Sequence, residues 1–99
     1  MDWKPYDPSW LVALAQRLRP DDAQLAAGLG QCTEAASDGS GYLYFVDPGL
    51  TGGNRESPWA FDHSIELRDP AGTTVVLDVL KNGRIGGVDV LDGASGSTV

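Results

Sequence analysis

The stretch from His63 to Leu91, HSIELRDPAGTTVVLDVLKNGRIGGVDVL, decides the fold. Aliphatic residues alternate with polar ones around two turn signals, the pattern of strands with one buried face. Asp69-Pro70-Ala71-Gly72 predicts a type I turn with Gly72 as the left-handed residue of a bulge, joining Ile65–Arg68 to Thr73–Leu80. Asn82-Gly83 is the preferred type I′ pair and joins Val75–Leu80 to Ile85–Leu91.

The two loops set registers that can be checked against each other. A two-residue loop at Asn82-Gly83 places Lys81 opposite Arg84, Leu80 opposite Ile85, Leu77 opposite Val88 and Val75 opposite Val90. A three-residue loop at Pro70–Gly72 places Leu67 opposite Val75, Ile65 opposite Leu77 and His63 opposite Val79. The registers agree. One face of the three strands then carries Phe61, His63, Ile65, Leu67, Val75, Leu77, Val79, Val88 and Val90, a surface suited to cover by helices. The other face receives Asp62, Ser64, Glu66, Arg68, Thr74, Val76, Asp78, Leu80, Ile85, Gly87, Asp89 and Leu91. It is mixed and acidic, with Glu66 and Asp89 flanking Val76 and Asp78 beside Ser64 and Gly87.

Upstream, Asp7-Pro8-Ser9 is a helix start, Pro8 holding a helical φ and Asp7 or Ser9 able to cap free amides. The predicted helix runs over residues 8–18 with Leu11, Leu14, Ala15 and Leu18 on one face, extended by Trp10. Pro20 breaks the pattern, Asp21 and Asp22 suit the start of a second short helix, and Gly28 and Gly30 stop it near Leu29. Both helices are expected to precede everything extended. Ser37 to Gly41 then joins a weak strand at Cys32–Ala36 to a strong one at Tyr42–Val46, whose alternation sends Leu43 and Phe45 to the core and Tyr42 and Tyr44 to the acidic side. The fold expected is α+β, with two short N-terminal helices packed on one face of a four- to five-stranded antiparallel meander sheet.

Ninety-nine residues with 41% hydrophobic content describe one domain, assigned here to residues 1–92, with residues 93–99 as a flexible C-terminal tail. Seven Lys plus Arg against fourteen Asp plus Glu give a net charge of −7, which repels phosphate and anionic lipid. Nucleic acid and membrane are thereby disfavoured as partners. No basic-then-apolar leader opens the chain, and the single Cys32 reads as a small buried hydrophobe in a reducing compartment, so a cytoplasmic location is expected.

Residues 47–58, DPGLTGGNRESP, are too rich in Gly and Pro for regular structure and form a long loop, a functional candidate by position. His63 is the lone histidine beside Asp62, but the pleat directs adjacent side chains to opposite faces. Ser57, Ser64 and Cys32 lack a nucleophile-elbow pattern, and Gly49–Gly53 lacks the Lys of a phosphate loop. Glu66, Asp78 and Asp89 on neighbouring strands read as a solvated face rather than a metal site. No catalytic residue, cofactor or metal is therefore assigned.

The strings GYLYFVD (Gly41 to Asp47) and PWAFDHSIELRDPAGTTVVLDVLKNGRIGGVDVLD (Pro58 to Asp92) resemble small acidic bacterial immunity proteins that partner secreted toxins. The resemblance implies a non-enzymatic inhibitor that binds a basic toxin face in the cytosol, and it carries over no binding residue. The leading expectation is a small acidic binding protein, monomer or homodimer, that engages a basic protein through Tyr42, Tyr44, Leu50, Arg55, Glu66, Asp78 and Asp89. Two alternatives stand beside it: a small hydrolase or metal-dependent enzyme using His63 with Asp62 or Glu66, and a self-associating accessory or phage structural protein.

Overall fold

The computed structural model describes residues 2–92, and the tail predicted at 93–99 lies outside the described residues. Chain order is β1 (Lys4–Pro5), α1 (Ser9–Leu18), α2 (Ala23–Gly30), β2 (Glu34–Ser37), β3 (Tyr42–Tyr44), β4 (Phe61–Arg68), β5 (Thr73–Leu80) and β6 (Ile85–Asp92). The strands form one antiparallel sheet in the order β1-β2-β3-β6-β5-β4, so the architecture is α+β. Six strands replace the expected four to five. The sheet is also not a simple meander, because β3 pairs with the final strand, Leu43 opposite Val88, rather than with the next one in the chain. Nor do the helices precede everything extended: Lys4 pairs with Ala35, and the Tyr6 amide continues that ladder to the Thr33 carbonyl at 2.8 Å.

Both helices start where side-chain oxygens meet free amides. Asp7 Oδ1 accepts from the Ser9 amide at 3.0 Å, and Asp22 Oδ1 accepts from the Leu25 amide at 3.1 Å. Leu11, Leu14 and Ala15 of α1 and Leu25 and Leu29 of α2 are buried on one face of the sheet, against Leu67, Val75, Leu77, Val79, Ile85 and Val88. Burying each such leucine, isoleucine or valine side chain stabilises the fold by about 1.5–3 kcal/mol. Trp10 does not extend this face; it is 42% exposed and its indole N–H donates to the Tyr6 hydroxyl at 2.8 Å. Val90, on the apolar face by alternation, is 40% exposed, because β3 begins at Tyr42, paired with Asp89, and provides no strand neighbour beyond it. Arg17 ties α1 to the β4–β5 turn through Asp69, at 2.6 Å.

The β4–β5 hairpin has the expected register, Leu67 opposite Val75, Ile65 opposite Leu77 and His63 opposite Val79. Its turn closes with the Gly72 amide on the Asp69 carbonyl at 2.9 Å and Gly72 at φ 103°. The β5–β6 turn departs from expectation. Gly83 has φ 84° but Asn82 does not have a positive φ, so the pair is not type I′. The Gly83 amide donates to the Leu80 carbonyl at 2.9 Å and the Leu80 amide to the Arg84 carbonyl at 2.8 Å, enclosing a three-residue loop, Lys81-Asn82-Gly83.

Lys81 therefore does not face Arg84, nor Leu80 Ile85; Val79 pairs with Ile85 instead. One extra residue then enters β6 at Gly86, since the next pair is Asp78 with Gly87. The added loop residue and the bulge cancel, so Leu77–Val88 and Val75–Val90 pair as expected. Between the two irregularities Ile85 is turned from the acidic face to the helix face, where its Cγ1 lies against Gly28 of α2. A second irregularity, between Phe61 and His63, moves Phe61 off the core face: it pairs with Leu80 and is 56% exposed.

Candidate functional site

α1 and α2 cover one face of the sheet, and the opposite face brings together much of what the alternation assigned to it. Glu66, Val76 and Asp89 lie in one cross-strand row, and Ser64, Asp78 and Gly87 in the next. Tyr42 stands opposite Asp89 and Tyr44 opposite Gly87, while Leu43 and Phe45 pack on the core side.

The tyrosines are not free. The Tyr42 hydroxyl donates to Asp78 Oδ2 at 2.6 Å, and the Ser64 hydroxyl donates to Asp78 Oδ1 at 3.1 Å. Burial, followed by the bond and the charge of Asp78, raises the Tyr42 pKa well above its usual 10.0. The Tyr42 and Tyr44 rings meet edge to face with centroids 4.8 Å apart. Tyr44 reaches Asp38 at 3.4 Å, and Asp38 is held below the usual carboxylate range by the Ser40 hydroxyl and amide. Glu66 shares part of its charge with Arg68 at 3.1 Å.

Residues 47–58 are more regular than their composition implied. Asp47 Oδ1 accepts from the Gly49 amide at 2.8 Å and opens a turn of 3-10 helix, Pro48–Thr51, that ends at Gly52 with φ 58°. This segment borders the open face and, with Tyr42, Tyr44, Trp59, Phe61, Asp78 and Leu80, lines a cavity of about 180 Å³ that is open to solvent on one side. Phe61 and Trp59 are site residues that strict alternation missed, and only the displacement at Asp62 brings Phe61 here. Leu50, 51% exposed, belongs to a separate depression shared with Trp3, Trp59 and Arg84. Arg55 is exposed and lines neither hollow.

The same displacement overturns the pleat-based separation of Asp62 from His63. His63 Nδ1 stands 2.7 Å from Asp62 Oδ2, both side chains about half exposed, and His63 is on the surface rather than in the apolar layer. Ser57, 9% exposed, accepts from the Trp59 amide at 3.1 Å, and Cys32 is buried with its thiol pushed up to about 11 by desolvation. Among the described residues no three His, Cys, Asp or Glu side chains converge as a metal site, and no helix is long and apolar enough to cross a membrane. No protein-family model, curated protein or solved structure matches the chain. The chemistry of the open face therefore has to carry the functional reading.

Proposed function

We propose that this chain is a small acidic, non-enzymatic cytoplasmic protein that neutralises a basic toxin or enzyme by docking it on the open sheet face and residues 47–58. The observation that supports this reading is the composition of that face. Asp78, Asp89 and Glu66 are interspersed with half-buried Tyr42 and Tyr44 and with exposed Phe61 and Leu91, on a chain of net charge −7. Aromatic and aliphatic anchors among carboxylates supply desolvated contacts and a field that steers a cationic partner. Both sheet edges are poor templates for self-pairing: β1 is two residues long and contains Pro5, and β4 is displaced at Asp62 and carries Glu66 and Arg68. That favours a monomer engaging a different protein over self-association.

The test is capture at low and high salt of the basic partner, then its affinity for a Glu66→Lys/Asp89→Lys variant. Affinity should fall and its salt dependence should flatten; unchanged values of both remove the proposal. A second reading, a small hydrolase, draws on the Asp62–His63 contact. It requires His63→Ala to abolish turnover of an ester or amide substrate.

A further inference from the structure

We propose that the cavity between Tyr42, Trp59 and Phe61 receives the guanidinium tip of an arginine from the basic partner, an inference that rests on the reading above for the nature of that partner. The cavity measures about 180 Å³. An apolar void of about 150 Å³ takes one benzene-sized group, whereas pockets for drug-sized ligands start at about 300 Å³. A single side chain is the matching occupant.

The lining determines which one. Tyr42, Tyr44, Trp59 and Phe61 supply aromatic walls, and Leu80 adds an apolar surface. Aromatic faces attract cations, and a flat, weakly hydrated guanidinium stacks on them more readily than an ammonium. Asp78 is the carboxylate set among these rings. Tyr42 donates to one of its oxygens and Ser64 to the other, so the group is held in place and each oxygen keeps acceptor capacity. Two adjacent acceptors match the paired N–H donors of a guanidinium fork. Asp47, also in the lining, and the net charge of −7 complement the same cation.

The cavity also explains features of the fold that the core does not require. A Cβ on Gly87 would collide with the Tyr42 ring, and a Cβ on Gly86 would come within 2.8 Å of Leu80 Cδ2. The paired glycines leave the space that the Tyr42 and Leu80 side chains occupy where they line the cavity.

The experiment uses butylguanidinium as the probe, titrated into the isotope-labelled protein, with butylammonium and butanol as comparisons. Saturable shifts at the Tyr42, Tyr44, Trp59 and Phe61 resonances are expected with butylguanidinium, several-fold stronger than with butylammonium. Asp78→Asn should weaken binding by roughly tenfold or more, as expected for losing a hydrogen bond to a charged group. Phe61→Ala, at an exposed position that tolerates truncation, should weaken it several-fold and keeps the test open if Asp78→Asn perturbs the fold. No saturable shift, equal binding of butanol or butylammonium, or undiminished binding in the variants overturns the proposal. Because the probe is read without a protein partner, its failure leaves the open-face reading to the lysine-reversal experiment, and failure of that experiment leaves the cavity measurement standing.

Discussion

The Tyr42 hydroxyl reaches across β6 to donate to Asp78 on β5, 2.6 Å away, and it can do so only because the residue it crosses is Gly87. The pair links β3 to the outer hairpin by a side-chain bond over an intervening strand.

Gly87→Ala forces the Tyr42 ring aside and should destabilise the protein by about 1–3 kcal/mol, the range for overfilling a packed site. In a Tyr42→Ala background the same substitution should cost far less, because the obstructed ring is gone. Urea unfolding of the four proteins in this cycle provides the check. Additive losses would show that Gly87 matters for some other reason.

Cys32 and Tyr42, with Tyr6 raised by burial in the same direction, should shape the alkaline limb of stability. Burial pushes the Cys32 thiol from 9.0 to about 11 and raises Tyr42 above 10.0, so each proton is bound more tightly in the folded chain than in the unfolded one. The stabilisation is complete below about pH 9 and is lost as pH rises from there through the folded-state values. Urea midpoints measured between neutral pH and pH 11 should fall, less steeply above pH 9 for Cys32→Ala and less steeply above pH 10 for Tyr42→Phe. Parallel curves for wild type and variants contradict this assignment.

His63→Ala should change stability by no more than about 0.5 kcal/mol, as for other exposed positions, because its side chain is 53% accessible and its partner Asp62 51%. A thermal melt is sufficient to see it. A loss of several degrees would mean that the pair clamps the bend in β4.

The β5–β6 turn has its own signature. Gly83 at φ 84° occupies the left-handed region, where a side chain costs about 1–2 kcal/mol, while Asn82 does not. Gly83→Ala should therefore be costly. Asn82→Ala should lose only the exposed bond from the Arg84 amide to its Oδ1, 2.9 Å, at about 0.5–1 kcal/mol. Comparable losses at both positions would restore the type I′ geometry.

Legibility of the fold followed the range of the interactions responsible. Asp69-Pro70-Ala71-Gly72 encodes its own turn, and the turn dictates Leu67 opposite Val75 and Ile65 opposite Leu77. Alternation gives the β5–β6 register correctly at Leu77–Val88 even though the turn is not type I′, because the third loop residue and the bulge at Gly86 offset each other. Phe61 departs from alternation for the opposite reason: one irregularity at Asp62 shifts the pleat ahead of His63, which itself stays opposite Val79, and alternation alone contains no trace of it.

Local chemistry along the chain is enough to determine the two helices, the β4–β5 turn, the aliphatic layer at Leu67, Val75, Leu77 and Val88, and the acidic character of the opposite face. Those features depend on side-chain period and turn geometry, which act over a few residues. The tertiary structure alone decided that β3 docks on β6, that Tyr42 thereby reaches Asp78, and that Trp59 and Phe61 close a cavity over Leu80. Strand partners distant in sequence are selected by how whole faces pack, and bulges form where neighbouring side chains such as Leu80 need the space above a glycine.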